Sequence, residues 1–417
     1  MSPDESPHIF DWNHLAGFEF RCKPGLELND ETLRDGLQSP SVKDPTLDQK
    51  IRLVHLMDDL GIASVDVGLP GAGANAVQHI EAIVRDIVTS KLRIRPNCAV
   101  RTVISDIEAL VKISERVGVP IEACTFIGSS PIRQYVEDWT LEHLVRLTEE
   151  AVTFAIAHGL PVMYVTEDTT RAHPETLRQL FTTAMRAGAQ RICVCDTVGF
   201  ATPIGVRNVL HHVQALVAEV NPAVRIDWHG HSDRGIGIPN TMMAIAGGVD
   251  RVHGCGLGIG ERVGNTPMDL LMINLKLEGL YHGTLDKLSE YVHLISEATG
   301  TPIPRNYPVF GQDAFRTATG VHAAAVVKAL RKGDRDVADR VYSGVPAHMV
   351  GEEQKIEIGY MSGASNVNWW LEKHGIPSNP ELVQKILTAA KQSTHVLSEA
   401  QILAVVREHD GGGTVRA

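Results

Sequence analysis

The stretch "GLELNDETLRDG" at residues 25–36 decides the fold. It reads as a short strand that stops in a turn at Gly36, with its charged residues crowded at the C-terminal end. A doubly wound open sheet, the runner-up architecture, carries a glycine-rich phosphate turn after its first strand, and "NDETLRDG" is not one. Seven further strand candidates recur at roughly 25- to 40-residue intervals, as βα units do. They are "IASVDVGLPGAG" (62–73), "IRPNCAVRTV" (94–103), "IEACTFIGSS" (121–130), "LPVMYVTED" (160–168), "AQRICVCDTVG" (189–199), "AVRIDWHGH" (223–231) and "VDRVHGCGLG" (249–258). Each again keeps its reactive-looking residues at the C-terminal end. Eight such units predict a (β/α)8 TIM barrel, whose site lies at that end.

Helical patterns separate many of the strands. Val77, Ile80, Val84 and Ile87 recur at helical spacing, and residues 140–159 read as an amphipathic helix stopped by Gly159. Beyond about residue 285 the pattern changes. The expected organisation is a catalytic barrel over 1–285, a proline- and glycine-rich linker over 286–312 and a mostly helical subdomain over 313–417. The clearest helices of that subdomain are "GVHAAAVVKALRKG", "NWWLEKHG" and a pair within 379–410, and "GGGTVRA" reads as a loose tail.

Composition narrows the function classes. The chain has 417 residues, 43% hydrophobic and 21% charged, as ordinary globular proteins do. A net charge of −11 argues against a nucleic-acid surface but leaves room for a small anion in a locally positive pocket. No run approaches the roughly 18 apolar residues of a membrane span. The acidic, proline-broken N-terminus is neither a signal nor a transit peptide, and the six dispersed cysteines lack a CxxC pair. A cytoplasmic protein without a disulfide framework is expected, its thiols mostly small core hydrophobes.

Chemistry concentrates in "DWHGHSDRGIG" (227–237). His229 and His231, two apart on a strand, share a face and can both point into the barrel mouth. Taken alone, such a pair is more often one core and one surface histidine. Asp35, at the end of the first strand, adds a carboxylate, and two imidazoles with one carboxylate leave open positions on a metal. Arg34 beside it offers a fork for a substrate carboxylate. In "GCGLGIGERVGNT" (254–266), Asn265 could add a contact, while Glu261 and Arg262 orient water or substrate or form a plain surface salt bridge. Thr197 either binds a carboxylate or caps the next helix.

Together these elements resemble the DRE-TIM metallolyase superfamily, on the Claisen-condensing branch of isopropylmalate, homocitrate and citramalate synthases. "DETLRDGLQ" is similar to the family's D-x-T-L-R-D-G-x-Q, "HGHSDRG" to H-x-H-N-D-x-G and "GIGERVGN" to G-x-G-E-R-x-G-N. "TEDTTR" and "DTVGFATP" fall in the family's order, and "TGVHAAAV" and "YSGVPAHMVG" resemble segments that follow the synthase barrel. The resemblance implies that Asp35, His229 and His231 bind a divalent metal (zinc, manganese or magnesium), with Asn265 on or beside it. It implies that a 2-oxo acid meets Arg34 at its carbonyl and Thr197 at its carboxylate, and that acetyl-CoA adds its methyl carbon to that carbonyl. Thioester hydrolysis then releases CoA and a 2-alkylmalate-type acid. Gln38, Asp66, Arg133 and Glu167 are the other expected substrate-binding residues, and Glu261, His322 and Tyr342 the candidates for the base. A homodimer is expected, with the post-barrel segment completing a neighbour's site.

Several positions depart from the pattern. Ser232 stands for asparagine, Asp66 for glutamate and Arg133 for a frequent histidine. Met163 and Val165 match neither the isopropylmalate nor the homocitrate branch, and Met163 makes the wall more apolar. The chain ends where the synthases' regulatory domain would begin, so leucine feedback through such a domain is not expected. The alternatives are a lyase of the 3-hydroxy-3-methylglutaryl-CoA type, hinted at by "GLQSP" and Cys255, and a non-catalytic barrel that only binds a metabolite.

Overall fold

The computed structural model describes residues 8–14, 20 and 22–411; the tail expectation for 412–417 lies outside them. Eight parallel strands close into a barrel in sequence order. They are β1 (Glu27–Asp30), β2 (Ser64–Asp66), β3 (Arg95–Arg101), β4 (Glu122–Gly128), β5 (Val162–Glu167), β6 (Arg191–Asp196), β7 (Arg225–Gly230) and β8 (Arg251–Gly254). All eight coincide with strand candidates of the sequence. Closure pairs the first strand with the last, from Glu27 opposite Arg251 to Asp30 opposite Gly254.

The helices between the strands carry their own stop and start signals. Thr46 and Gln49 form a capping box for Leu47–Asp59, and Thr202 accepts from the Gly205 amide to start Pro203–Val220. Gly159, at φ +76°, follows Leu141–Ala157 in a backbone conformation that suits glycine. Leu177, Leu180, Phe181 and Ala184 form the buried stripe of Pro174–Arg186. With helices outside and side chains inside, β6 is buried along its whole length, as parallel strands generally are.

Ionic groups close the N-terminal end of the barrel. Arg251, 1% exposed, donates to Asp227 Oδ2 (2.6 Å), Glu122 Oε2 (2.7 Å) and Ser64 Oγ (3.0 Å). Arg191 donates to Asp227 Oδ1 at 2.8 Å and pairs with Glu27. Every charge in this plug therefore has a partner, which buried charges require.

Helix Leu288–Thr299 lies in the stretch expected as linker, its Leu288, Tyr291, Val292 and Ile295 buried at helical spacing. The described chain divides into two compact units, with the break between Pro302 and Ile303. The second unit is mostly helical and holds two apolar clusters, one around Val326 and Ile356 and one around Leu371 and Ile386. It also contains a parallel pair, β9 (Arg316–Thr317) and β10 (Lys355–Ile356). Strands of two residues are too short to leave a periodic signal. Among the described residues no helix is long and apolar enough to cross a membrane.

Candidate metal centre and its cavity

The strand period of two decides what the barrel interior presents. Residues at the C-terminal ends of the strands surround a cavity of about 320 Å³, within the size range of small-molecule sites. Its two halves differ chemically. β4, β5 and β6 contribute Cys124, Phe126, Met163, Val165, Cys193 and Cys195, while the opposite half contributes Glu31, Arg34, Asp35, Asp66, His229, His231 and His253.

His229 Nε2 lies 3.1 Å from His231 Nε2, and Asp35 Oδ2 stands 3.7 and 3.8 Å from these two atoms. Ligands bonded at about 2.1 Å keep a mutual spacing of roughly 3 Å around one ion. A cation therefore fits this triangle with only small adjustment. Burial pushes His229 down to about 3 and His231 to about 4, leaving both imidazoles neutral at pH 7, the form that binds metal. Asp35 resists burial: Arg34 and the two histidines hold its carboxyl well below the usual range. Asn265 donates to Asp35 Oδ1 at 2.9 Å, and its own buried Oδ1 lacks a hydrogen-bond partner. Two imidazoles, a carboxylate and an amide oxygen make a donor set suited to zinc or manganese.

Arg34 is fixed on several sides. It donates from Nε to Asp66 Oδ2 (2.9 Å) and from Nη1 to Asp35 Oδ2 (2.8 Å), and its Nη2 pairs with Glu31. Asp66, despite its shorter side chain, reaches the guanidinium. Burial raises its pKa, and Arg34 opposes that rise. Thr197 accepts from the Asp168 amide at 2.8 Å, so its hydroxyl hydrogen is left to donate. Capping of the next helix falls to Thr202 instead. Gln38, Glu167 and Glu261 also line the cavity. Burial raises the Glu167 pKa, partly offset by Arg133 and Arg34.

Other expected residues stand elsewhere. Arg133 is absent from the cavity lining; its guanidinium pairs with Glu137 at 3.2 Å and lies over Trp139. Arg262 does line the cavity, but its guanidinium pairs with Asp233 at 2.8 Å rather than with Glu261. His322 and Tyr342 belong to the second unit, where their rings stack with centroids 3.9 Å apart. The sequence reading did not single out Glu31 and His253, which also line the cavity. It also missed that three of the thiols line the cavity.

Comparison with known proteins gives a consistent set of relatives. The family described as HMGL-like matches residues 25–295. Homocitrate synthase of Saccharolobus solfataricus is 30% identical over 374 residues, 88% of this chain and 76% of that protein. A probable 2-isopropylmalate synthase of Ignicoccus hospitalis is 29% identical over 373 residues, covering 88% and 87% of the two chains. Among solved structures, the HMG-CoA lyase of Bacillus subtilis superposes with a TM-score of 0.57 at 20% identity, covering 68% of this chain and 96% of the lyase. At that identity the superposition speaks for the fold alone.

Proposed function

The chain belongs to the HMGL-like family, on the Claisen-condensing branch of the DRE-TIM metallolyases, and from that premise we propose that it condenses acetyl-CoA with a 2-oxo acid. The observation that carries this reading is the convergence of Asp35, His229 and His231 beside the pinned guanidinium of Arg34. Acetyl-CoA, the 2-oxo acid and water give a 2-alkylmalate-type acid and free CoA. A divalent ion bound by Asp35, His229 and His231, with Asn265 beside it, would supply Lewis-acid stabilisation of developing negative charge.

The chain's own groups supply the rest. Arg34 brings a fixed positive charge to the acceptor's carbonyl oxygen, which turns from carbonyl to alkoxide as the carbon–carbon bond forms. Fixed donors of this kind need no reorganisation during the reaction. Thr197 offers its hydroxyl hydrogen to the acceptor's carboxylate. The methyl proton of acetyl-CoA goes to a base drawn from Glu261, His322 and Tyr342, of which Glu261 lines the cavity.

The finer reading concerns the acceptor. Its oxo-acid end belongs on the polar half, which directs its side chain toward Cys124, Phe126, Met163, Val165 and Cys195. None of these can pair with a second carboxylate, and burying an unpaired charge there is costly. The favoured acceptor thus carries an uncharged, apolar side chain. We take the working form to be a cytoplasmic homodimer.

Thiol release from acetyl-CoA tests the reading, using 2-oxoisovalerate, 2-oxoglutarate, pyruvate and oxaloacetate, with chelator and after metal return. Metal-dependent release favouring an apolar acceptor is expected. Cleavage of a 3-hydroxyacyl-CoA, with no release from any acceptor, would move the assignment to a lyase.

A further inference from the structure

Glu31 lies beneath the metal triangle, 3% exposed, and four polar groups converge on it. Arg34 pairs with it, Asn29 Nδ2 donates to its Oε1 at 3.3 Å, and His253 Nδ1 lies 2.5 Å from the same oxygen. The fourth group is His229, whose Nδ1 faces Glu31 Oε1 at 3.6 Å while its Nε2 faces Asp35 and His231. An imidazole can offer its Nε2 lone pair to an ion only when the proton sits on Nδ1. A carboxylate facing Nδ1 selects that tautomer, orients the ring and makes the ligand more basic. A small turn of the ring closes the 3.6 Å gap to hydrogen-bond distance.

We propose that Glu31 is the positioning residue that holds His229 in its metal-binding tautomer, with Arg34 and Asn29 holding the carboxylate in place. Neutral His253 spends its one N–H on Asp227 Oδ2, 3.1 Å from Nε2, and so packs against Glu31 without a hydrogen bond to it. The inference rests on the metal reading of Asp35, His229 and His231. Glu31, His229 and His253 have ligand atoms close enough together to suggest a second ion instead. Two features oppose that use. The 2.5 Å between Glu31 Oε1 and His253 Nδ1 is shorter than the roughly 3 Å that two ligands of one ion keep. Glu31 is also already neutralised by Arg34.

Metal affinity, measured by competition with a chromophoric chelator for zinc and manganese, tests this without turnover. The set is wild type, Glu31→Gln and Glu31→Leu, with thermal melts of the metal-free proteins to report folding. One ion per wild-type chain is expected, with affinity reduced about 10- to 100-fold in Glu31→Leu. Glu31→Gln, which can still accept from Nδ1, should lose less than Glu31→Leu but more than twofold. Should Glu31→Leu fail to fold, Glu31→Gln carries the test. Folded variants binding within twofold of wild type would overturn the proposal. So would two ions in wild type with one lost in Glu31→Leu. A wild type that binds no metal would instead remove the underlying site reading.

Discussion

Asp30 shows how one buried carboxyl sets a pH dependence. It is fully buried and accepts hydrogen bonds from the Tyr291 hydroxyl (2.5 Å) and the Thr32 amide (2.8 Å). Burial outweighs these bonds and raises its pKa to about 6, from the usual 3.8. Between those values the folded chain keeps a proton that the unfolded chain has lost, so the stability this group contributes is complete below pH 3.8 and declines from there upward. That contribution disappears as the pH rises through 6. Asp30→Asn imitates the neutral acid, and its melting temperature should gain on wild type between pH 3.5 and 7.5, by up to about 3 kcal/mol of stability. A difference that stays constant across that range would refute the assignment. Neighbouring residues show what a sequence can and cannot reveal. His229 and His231 were readable because a strand puts alternate residues on one side. Glu31 and His253 became meaningful only on closure, which sets the end of β1 beside the end of β8.

The wall formed by β4, β5 and β6 was less legible than the strands themselves. Parallel strands are buried on both faces, so hydrophobic alternation does not separate cavity side from helix side. Counting back by twos from Glu167 reaches Val165 and Met163, and from Thr197 reaches Cys195 and Cys193, all lining the cavity. The cysteines passed as core filling because a thiol's packing says nothing of what stands across from it. Helix Leu288–Thr299 was hidden differently, since its apolar spacing sits next to a proline-rich stretch. At this scale acceptor choice can be altered. Val165→Arg places a cation in the apolar wall and should lower kcat/KM for 2-oxoisovalerate about tenfold or more, with a smaller loss for 2-oxoglutarate. Equal losses for both acids would show that the wall does not read the acceptor's side chain.

The plug at the N-terminal end of the barrel acts on the whole molecule. Arg251 joins β8 to β7, β4 and β2 through Asp227, Glu122 and Ser64. Arg251→Leu would leave Asp227 and Glu122 short of a buried partner, and a loss of roughly 3–5 kcal/mol is expected in denaturant unfolding. A loss below about 1 kcal/mol would mean that Arg191 and the neighbouring groups compensate. The same plug also makes the barrel a cup with a single rim. Whatever occupies the bottom of such a cup must arrive before anything larger covers it, and must leave after it. The small oxo acid would then queue ahead of the bulky thioester, giving an ordered rather than random sequence. Initial-rate patterns with a non-reactive CoA thioester would show that order as uncompetitive inhibition against the acid, whereas mixed inhibition would mean that the two reach their places independently.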